Sequence, residues 1–287
     1  MRQVQHIEFF DTDHFRYCYH RVPPPAALSH FIDFFWETEF EQKLKQHHNG
    51  FSDVLFPNTG YTYLINLGTP YIMQVGEKKI DMKGDGYLPR HQAIECYHST
   101  GNQLFGIKFR VSPVLFEKKV NFSEYREYIF PLSYLVDPAV IAGVKNAGSF
   151  VQRTKILSSY YEGVISNRPS ENEAVNIVLE ILDQNYQAND FLTPVATYAQ
   201  RYNISARTLQ RYFEVTTGVS PRQVLQIMRI RKATESLISN PSSFNHSDFG
   251  YYDHSHFYKH LRQFLSKSTI THMKPHVELL KLLHITN

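Results

Sequence analysis

Cysteine is almost missing from this sequence. Cys18 and Cys96 are the two in 287 residues, which excludes a disulfide scaffold and a four-thiolate zinc site. That usage fits a reducing compartment. Long hydrophobic runs are missing too. No stretch approaches the roughly 18 uninterrupted apolar residues of a membrane-spanning helix. The opening MRQVQHIEFFDTDHF has no apolar core after a basic patch, so no signal peptide is expected. A cytoplasmic chain without membrane contact is the expectation. The common enzyme signatures are absent: no P-loop, no G-x-G-x-x-G after a strand, no H-E-x-x-H and no G-x-S-x-G. No enzymatic activity and no cofactor or metal is expected.

What is present is enough to fold. Hydrophobic residues make up 42% and charged residues 20% of the chain, so a core can be buried and wholesale disorder is excluded. The length suits two modest domains or one large one. Aromatics reach 14%, with 21 Phe and 19 Tyr, which points to a β-rich or ligand-lined portion. The net charge of +3 hides an asymmetry. Residues 188–287 hold 12 lysines and arginines against 6 acidic residues, and 7 of the 15 histidines, while the rest holds 18 against 21. A basic part joined to a mildly acidic part is a layout for an anion-binding module on a regulatory one, with chance solvated surface as the competing reading.

Local patterns divide the chain in the same way. PPPAALSHFIDFFWETEF (23–40) reads as strand or short helix. YTYLINLG (61–68), YIMQVG (71–76), GDGYLP (84–89) and NQLFGIKFR (102–110) are short β-type runs separated by glycine-containing turns, as in the hairpins of a sandwich or small barrel. Helical signals follow. Ser112-Pro113 and Asp137-Pro138 place an N-cap type before a proline suited to the first turn. The amphipathic segment 150–165 comes next, and SNRPSE (166–171) is the best linker. Ser170 with Glu173 predicts a capping box opening a helix over 174–186. Helices within 138–165 are candidates for a dimer contact or a surface coupling two domains.

The last third reads as short helices with sharp punctuation. Thr193-Pro194 opens one, and a turn around Asn203-Ile204 leads to Ser205, which caps a second over 205–218. Gly218 stands where a helix C′ residue would, and Ser220-Pro221 opens a long helix to about Ile238. Ala199 and Ile204 are spaced to pack one short helix on the next, and Leu209 with Phe213 gives the second a buried stripe. The other face carries Arg207, Gln210 and Arg211. Arginine matches guanine O6/N7 and glutamine matches adenine N6/N7, while Ser205 and Thr208 near the helix start suit phosphates. This is helix-turn-helix logic; an ordinary solvated helix face is the alternative. A weak repeat favours the first reading. LQRYFEVTTGVSP (209–221) aligns with FYKHLRQFLSKST (257–269), pairing Leu209 with Phe257, Arg211 with Lys259, Phe213 with Leu261 and Ser220 with Ser268. Two such units can read successive major grooves, about 34 Å apart on one DNA face.

Over roughly residues 174–275 the sequence resembles the AraC/XylS family of bacterial transcription regulators. The resemblance rests on the block 205–221 and on GYYDHSHFYKHL (250–261). It implies seven helices with two helix-turn-helix units. By position it implies Arg207, Gln210 and Arg211 as base readers of the first unit, and His254, Ser255 and Lys259 as contacts of the second. Gly250 would make the tight turn, and Phe257 and Leu261 would be core. NPSSFNHSDF (240–249) departs from the family's Ile/Ala-rich helix and is shortened, with Asn245 and His246 near apolar positions. Ser266 and Thr269 stand where Gly and Pro are usual. Specificity is therefore expected to rest mainly on the first unit.

The amino-terminal region resembles, more weakly, the cupin-like sensory domains of related regulators, through the Trp36 segment, 52–68 and 104–116. A small barrel lined by Trp36, Phe56, Tyr61, Tyr63 and Phe105 would suit a small organic ligand, with Arg90, Lys108 or His91 to anchor a carboxylate or phosphate. Plain core packing is the competing role for each aromatic. His254, His256 and His260 form an H-x-H-x-x-x-H run, and His256 with His260 has chelating spacing, but a structural role is favoured. The same holds for His91, Cys96 and His98, where Glu95 is present without the H-x-H pair of a cupin metal site.

The fold class expected is α+β: a cupin-like β-rich barrel or sandwich with helices over 1–168, and an all-α domain of two helix-turn-helix units over 169–287. The function expected is sequence-specific DNA binding in transcription regulation, responsive to a small ligand held by the amino-terminal domain. Double-stranded DNA, a small-molecule effector, RNA polymerase and a second copy of the chain are the partners this admits. The alternatives are a cupin-type metal enzyme or small-molecule-binding protein with a structural helical tail, and a regulator that binds a partner without DNA.

Overall fold

The computed structural model describes residues 12–46, 51–117, 129–166 and 172–264. After a short helix α1 (Thr12–Tyr17) come strands β1 (Tyr19–Val22) and β2 (Ile32–Glu39), helix α2 (Glu41–Gln46), and strands β3 (Phe51–Leu55), β4 (Tyr61–Asn66), β5 (Tyr71–Val75), β6 (Lys78–Met82), β7 (Gly86–Pro89), β8 (Ile94–His98) and β9 (Gln103–Phe109). Helix α3 (Val114–Glu117) and strand β10 (Phe130–Pro131) precede seven helices: α4 (Pro138–Asn146), α5 (Phe150–Ser166), α6 (Asn172–Ala188), α7 (Val195–Arg201), α8 (Ala206–Thr217), α9 (Pro221–Ser239) and α10 (His254–Phe264). The class is α+β, β-rich first and all-helical afterwards.

The strands form two antiparallel sheets, ordered β1-β2-β9-β4-β7-β10 and β3-β8-β5-β6. Alternation along each strand sends side chains to opposite faces. Between the sheets lie Trp36, Leu64, Leu88 and Leu104 from the larger, and Tyr71, Met73, Met82, Ile94 and Cys96 from the smaller. The far face of the larger sheet carries Phe35, Tyr61, Tyr63, Phe105, Ile107 and Phe109, roofed by Ile141, Val144, Leu157, Tyr161, Val175 and Leu179 of α4, α5 and α6. Both faces of β4 are thus covered, which explains why 61–66 is buried at every position without alternation.

This arrangement corrects the expected barrel lining. Of the five aromatics, Trp36 points between the sheets, while Tyr61, Tyr63 and Phe105 point under the helical roof and Phe56 joins the core of the helical half. Which parity of a strand faces inward is settled by what covers each face. The roof also accounts for the amphipathicity of 138–165, since α4 and α5 spend their apolar stripes on the sheet.

Local signals place the helix ends. Asp137 Oδ1 accepts the Ala139 N–H at 2.8 Å, and Ser220 Oγ accepts the Gln223 N–H at 3.4 Å with Pro221 in the first turn. Pro194 is itself the N-cap of α7, one position earlier than its expected place. Ser112 makes no side-chain cap; its N–H donates to the Thr216 carbonyl at 2.7 Å. The linker positions 167–171, Ser170 of the expected capping box, and Ser266, Ser268 and Thr269 lie outside the described residues. Among the described residues, no helix is long and apolar enough to cross a membrane.

Candidate nucleic-acid interface

In the first unit, α7 and α8 meet across a tight turn. Tyr198 and Ala199 are buried, the Ile204 N–H donates to the Ala199 carbonyl at 3.0 Å, and Asn203 takes a φ of 52°, a left-handed value that asparagine tolerates. Ser205 Oγ accepts the Thr208 N–H at 3.0 Å, which caps α8, and lies 2.8 Å from Thr208 Oγ1. Leu209 and Phe213 enter the helical core. That fixes the rotation of α8 and leaves Arg207, Gln210 and Arg211 exposed on its other side. The Gln210 amide donates to Glu214 Oε1 at 3.0 Å, and the Arg211 guanidinium lies 6.0 Å from the Tyr212 ring centre.

In the second unit α10 follows the same plan. Phe257 and Leu261 enter the shared core, as their repeat partners Leu209 and Phe213 do. Asp253 Oδ1 accepts the His256 N–H at 2.6 Å, and Ser255 and Lys259 are exposed. His254 is set apart. Its ring is half-buried with its centre 4.4 Å from that of His246, and its Nδ1 is buried with no hydrogen-bond partner among the described residues. The segment before Gly250 is indeed shortened, to two 3-10 turns at Pro241–Ser243 and His246–Phe249. Gly250 has a φ of 72°, which makes it the turn residue expected.

The histidines do not converge. His260 Nδ1 lies 2.6 Å from the Tyr251 hydroxyl, and burial, with Arg229 and His256 nearby, pushes its pKa down to about 4. His256 is exposed against the edge of Tyr251. His98 lies between Asp53 Oδ1 at 3.1 Å and Asn102 Oδ1 at 2.7 Å, and burial together with the Asp53 charge holds the Cys96 thiol well above its usual range. His91 is elsewhere, its Nε2 2.7 Å from the Thr217 carbonyl. Among the described residues no three His, Cys, Asp or Glu are grouped to hold a metal ion.

Two short helices joined by a tight turn, the second bearing exposed Arg207, Gln210 and Arg211, make the first unit, and in the second α10 is set on the same core behind two 3-10 turns. Residues 198–271 match the family described as a helix-turn-helix domain. The carboxy-terminal domain is a helix-turn-helix domain of the AraC type. That makes the chain a DNA-binding regulator of transcription. No curated protein matches it. Among solved structures it is similar to ToxT from Vibrio cholerae in a P21 crystal form, at 8% identity over 92% of this chain and 98% of that one, with a TM-score of 0.44. ToxT bound to (E)-4-(8-methylnaphthalen-1-yl)but-3-enoic acid is similar at 9% identity over 92% and 99%, TM-score 0.43. Unsaturated-fatty-acid-bound ToxT is similar at 9% identity over 80% and 91%, TM-score 0.38.

The AraC-type domain is bonded to the β-rich part at named points. The carbonyls of Thr216 and Thr217, at the end of α8, face the Ser112 N–H and His91 Nε2. Gly218, with a φ of 79°, lies where a Cβ would come within 2.0 Å of the Tyr61 hydroxyl. Arg231 of α9 donates to the carbonyls of Phe56 at 3.4 Å and Pro57 at 2.9 Å, and Arg110 pairs with Asp183 of α6 at 2.6 Å. Beside these contacts is a cleft of about 530 Å³ whose walls include Ile32, Leu179, Leu182, Met228, Lys108 and Arg231. Of the expected ligand residues, Lys108 lines it. Arg90 is buried and donates to the Phe56 carbonyl at 2.9 Å. Sequence reasoning missed Arg110, Asp183 and Arg231, because contacts between positions 73 to 175 residues apart leave no local pattern.

Proposed function

We propose that this regulator binds DNA through both units and that a small ligand in the cleft between the two parts of the chain changes that binding. The division is 1–168 for the ligand-responsive part and 169–287 for the DNA-binding part. The observation that carries the reading is the pair α8 and α10. Each spends an i, i+4 apolar pair on one core and keeps a polar, cationic face free. Ser205, Arg207, Thr208, Gln210 and Arg211 form the first contact surface, Ser255 and Lys259 the second, and His254 is assigned to packing within its unit. Phosphate neutralisation supplies affinity and base edges supply choice.

The cleft mixes Leu179, Leu182 and Met228 with the cations Lys108, Arg110 and Arg231 and the carboxylates Asp33 and Asp183, the last paired with Arg110, which leaves Lys108 and Arg231 to face the acid group of an apolar organic acid. Trp36, Tyr61, Tyr63 and Arg90 are assigned to packing. A ligand there touches α6 and α9 directly, so it shifts the population of domain arrangements if it binds one of them more tightly. Contact with RNA polymerase, self-association and a cytoplasmic location are further expectations of such a regulator. The test is selection of genomic fragments on the full-length protein, followed by footprinting. Recovery of a shared sequence spanning two successive major grooves supports the reading, and recovery without sequence preference refutes it.

A further inference from the structure

The first unit positions its reading helix by packing it on α7. The second has no helix of that kind. Between Ser239 and His254 the chain makes only two 3-10 turns, of three and four residues, which seat Phe244 and Phe249 in the core beside Phe257 but present no helix face to fix the angle of α10. One side chain of α9 takes over that task. Arg229 is 8% exposed. Its Nε donates to the Phe249 carbonyl at 2.7 Å, its terminal nitrogen donates to the Gly250 carbonyl, and its guanidinium lies 3.8 Å over the Tyr251 ring. Three consecutive residues of the turn are therefore held by one planar fork, a geometry lysine cannot reproduce. The chain of contacts continues outward. Tyr251 is 2% exposed, its ring meets Phe257 at 5.1 Å, and its hydroxyl lies in hydrogen-bond contact with His260 Nδ1 at 2.6 Å. The low pKa of His260 keeps its ring uncharged at neutral pH.

We propose that Arg229 is the positioning residue of the second reading helix, setting through the 249–251 turn and the Tyr251–His260 bond the angle at which α10 presents Ser255 and Lys259. This rests on the reading that the second unit contacts DNA. The substitutions are Arg229→Met, Arg229→Lys and Tyr251→Phe in the full-length protein, with hydroxyl-radical footprints on a fragment selected by the wild type and circular dichroism to follow the helices. The expected result for R229M is protection of the first segment alone, with affinity lowered about tenfold or more. R229K restores the second segment in part, and Y251F weakens it while leaving the first intact. Should R229M not fold, Y251F decides, because it removes one hydroxyl and leaves the core aromatic in place. Two segments protected as in the wild type by whichever variant folds, or both segments lost together with the helices retained, would overturn the proposal. A wild-type footprint confined to one segment would instead refute the reading beneath it.

Discussion

Arg207 and Arg211 face solvent while Arg229 and Arg231 are folded against backbone carbonyls. The same side-chain chemistry thus does two jobs in one domain. An exposed guanidinium offers its fork to a base edge or a phosphate, and a buried one spends it on carbonyls that would otherwise lack donors. Arg207→Ala and Arg211→Ala should each weaken specific binding by about 1–3 kcal/mol if they read bases, with relaxed preference at one position. Gel-shift titrations on specific and scrambled fragments measure this, and equal losses on both fragments would reassign the residue to phosphate. The sequence distinguished neither kind of arginine with certainty. The i, i+4 pattern around Leu209 and Phe213 oriented α8, but Arg229 sits in a helix whose apolar residues face several neighbours, so its inward direction was not legible.

The elements themselves were largely written in short-range signals. Ser205, Gly218, Ser220 and Asp137 stand where the caps form, because a cap is a bond between residues two to four apart. Ser205→Ala should lower stability by about 1 kcal/mol, read as an earlier denaturation midpoint and as faster amide exchange in the first turn of α8. Unaltered exchange there would mean that the cap contributes nothing. The β runs between 51 and 110 were equally legible as strands, and the failure lay one level up. A strand with apolar residues at both parities, such as β4, contains no mark of which face meets the other sheet. Helix α6 shows the same limit: Val175 and Leu179 enter the sheet-side core while Ile177, Val178, Ile181 and Leu182 enter the helical one.

Across the whole molecule, lysine and arginine are in excess over acidic residues in 188–287, and Arg207, Arg211, Lys259 and Arg262 of that excess stand on α8 and α10. Neutralising phosphates with these cations releases counterions, so log K should fall linearly with log salt, with a slope of about −0.9 per phosphate contacted. Fluorescence anisotropy between low and physiological salt gives that slope, and a flat profile would be incompatible with docking of α8 and α10 on a duplex. The cleft belongs to this scale too. A panel of apolar organic acids should raise the thermal midpoint of the wild type, by mass action on the folded state, and Arg231→Ala should abolish the shift. A shift that survives in R231A would place the ligand elsewhere.

The chain by its sequence alone determined the β character of 51–110, the helix ends at Asp137, Ser205, Gly218 and Ser220, and the apolar pairs Leu209/Phe213 and Phe257/Leu261, because each is encoded by neighbours within a few residues. Only the tertiary structure decided which face of each strand is enclosed, that the roof helices are spent on the sheet, that a cleft opens between the two parts, and that Arg229 braces the shortened second unit. Those features depend on pairs of residues brought together from distant positions, and their free energy exists only once the whole chain has closed around them.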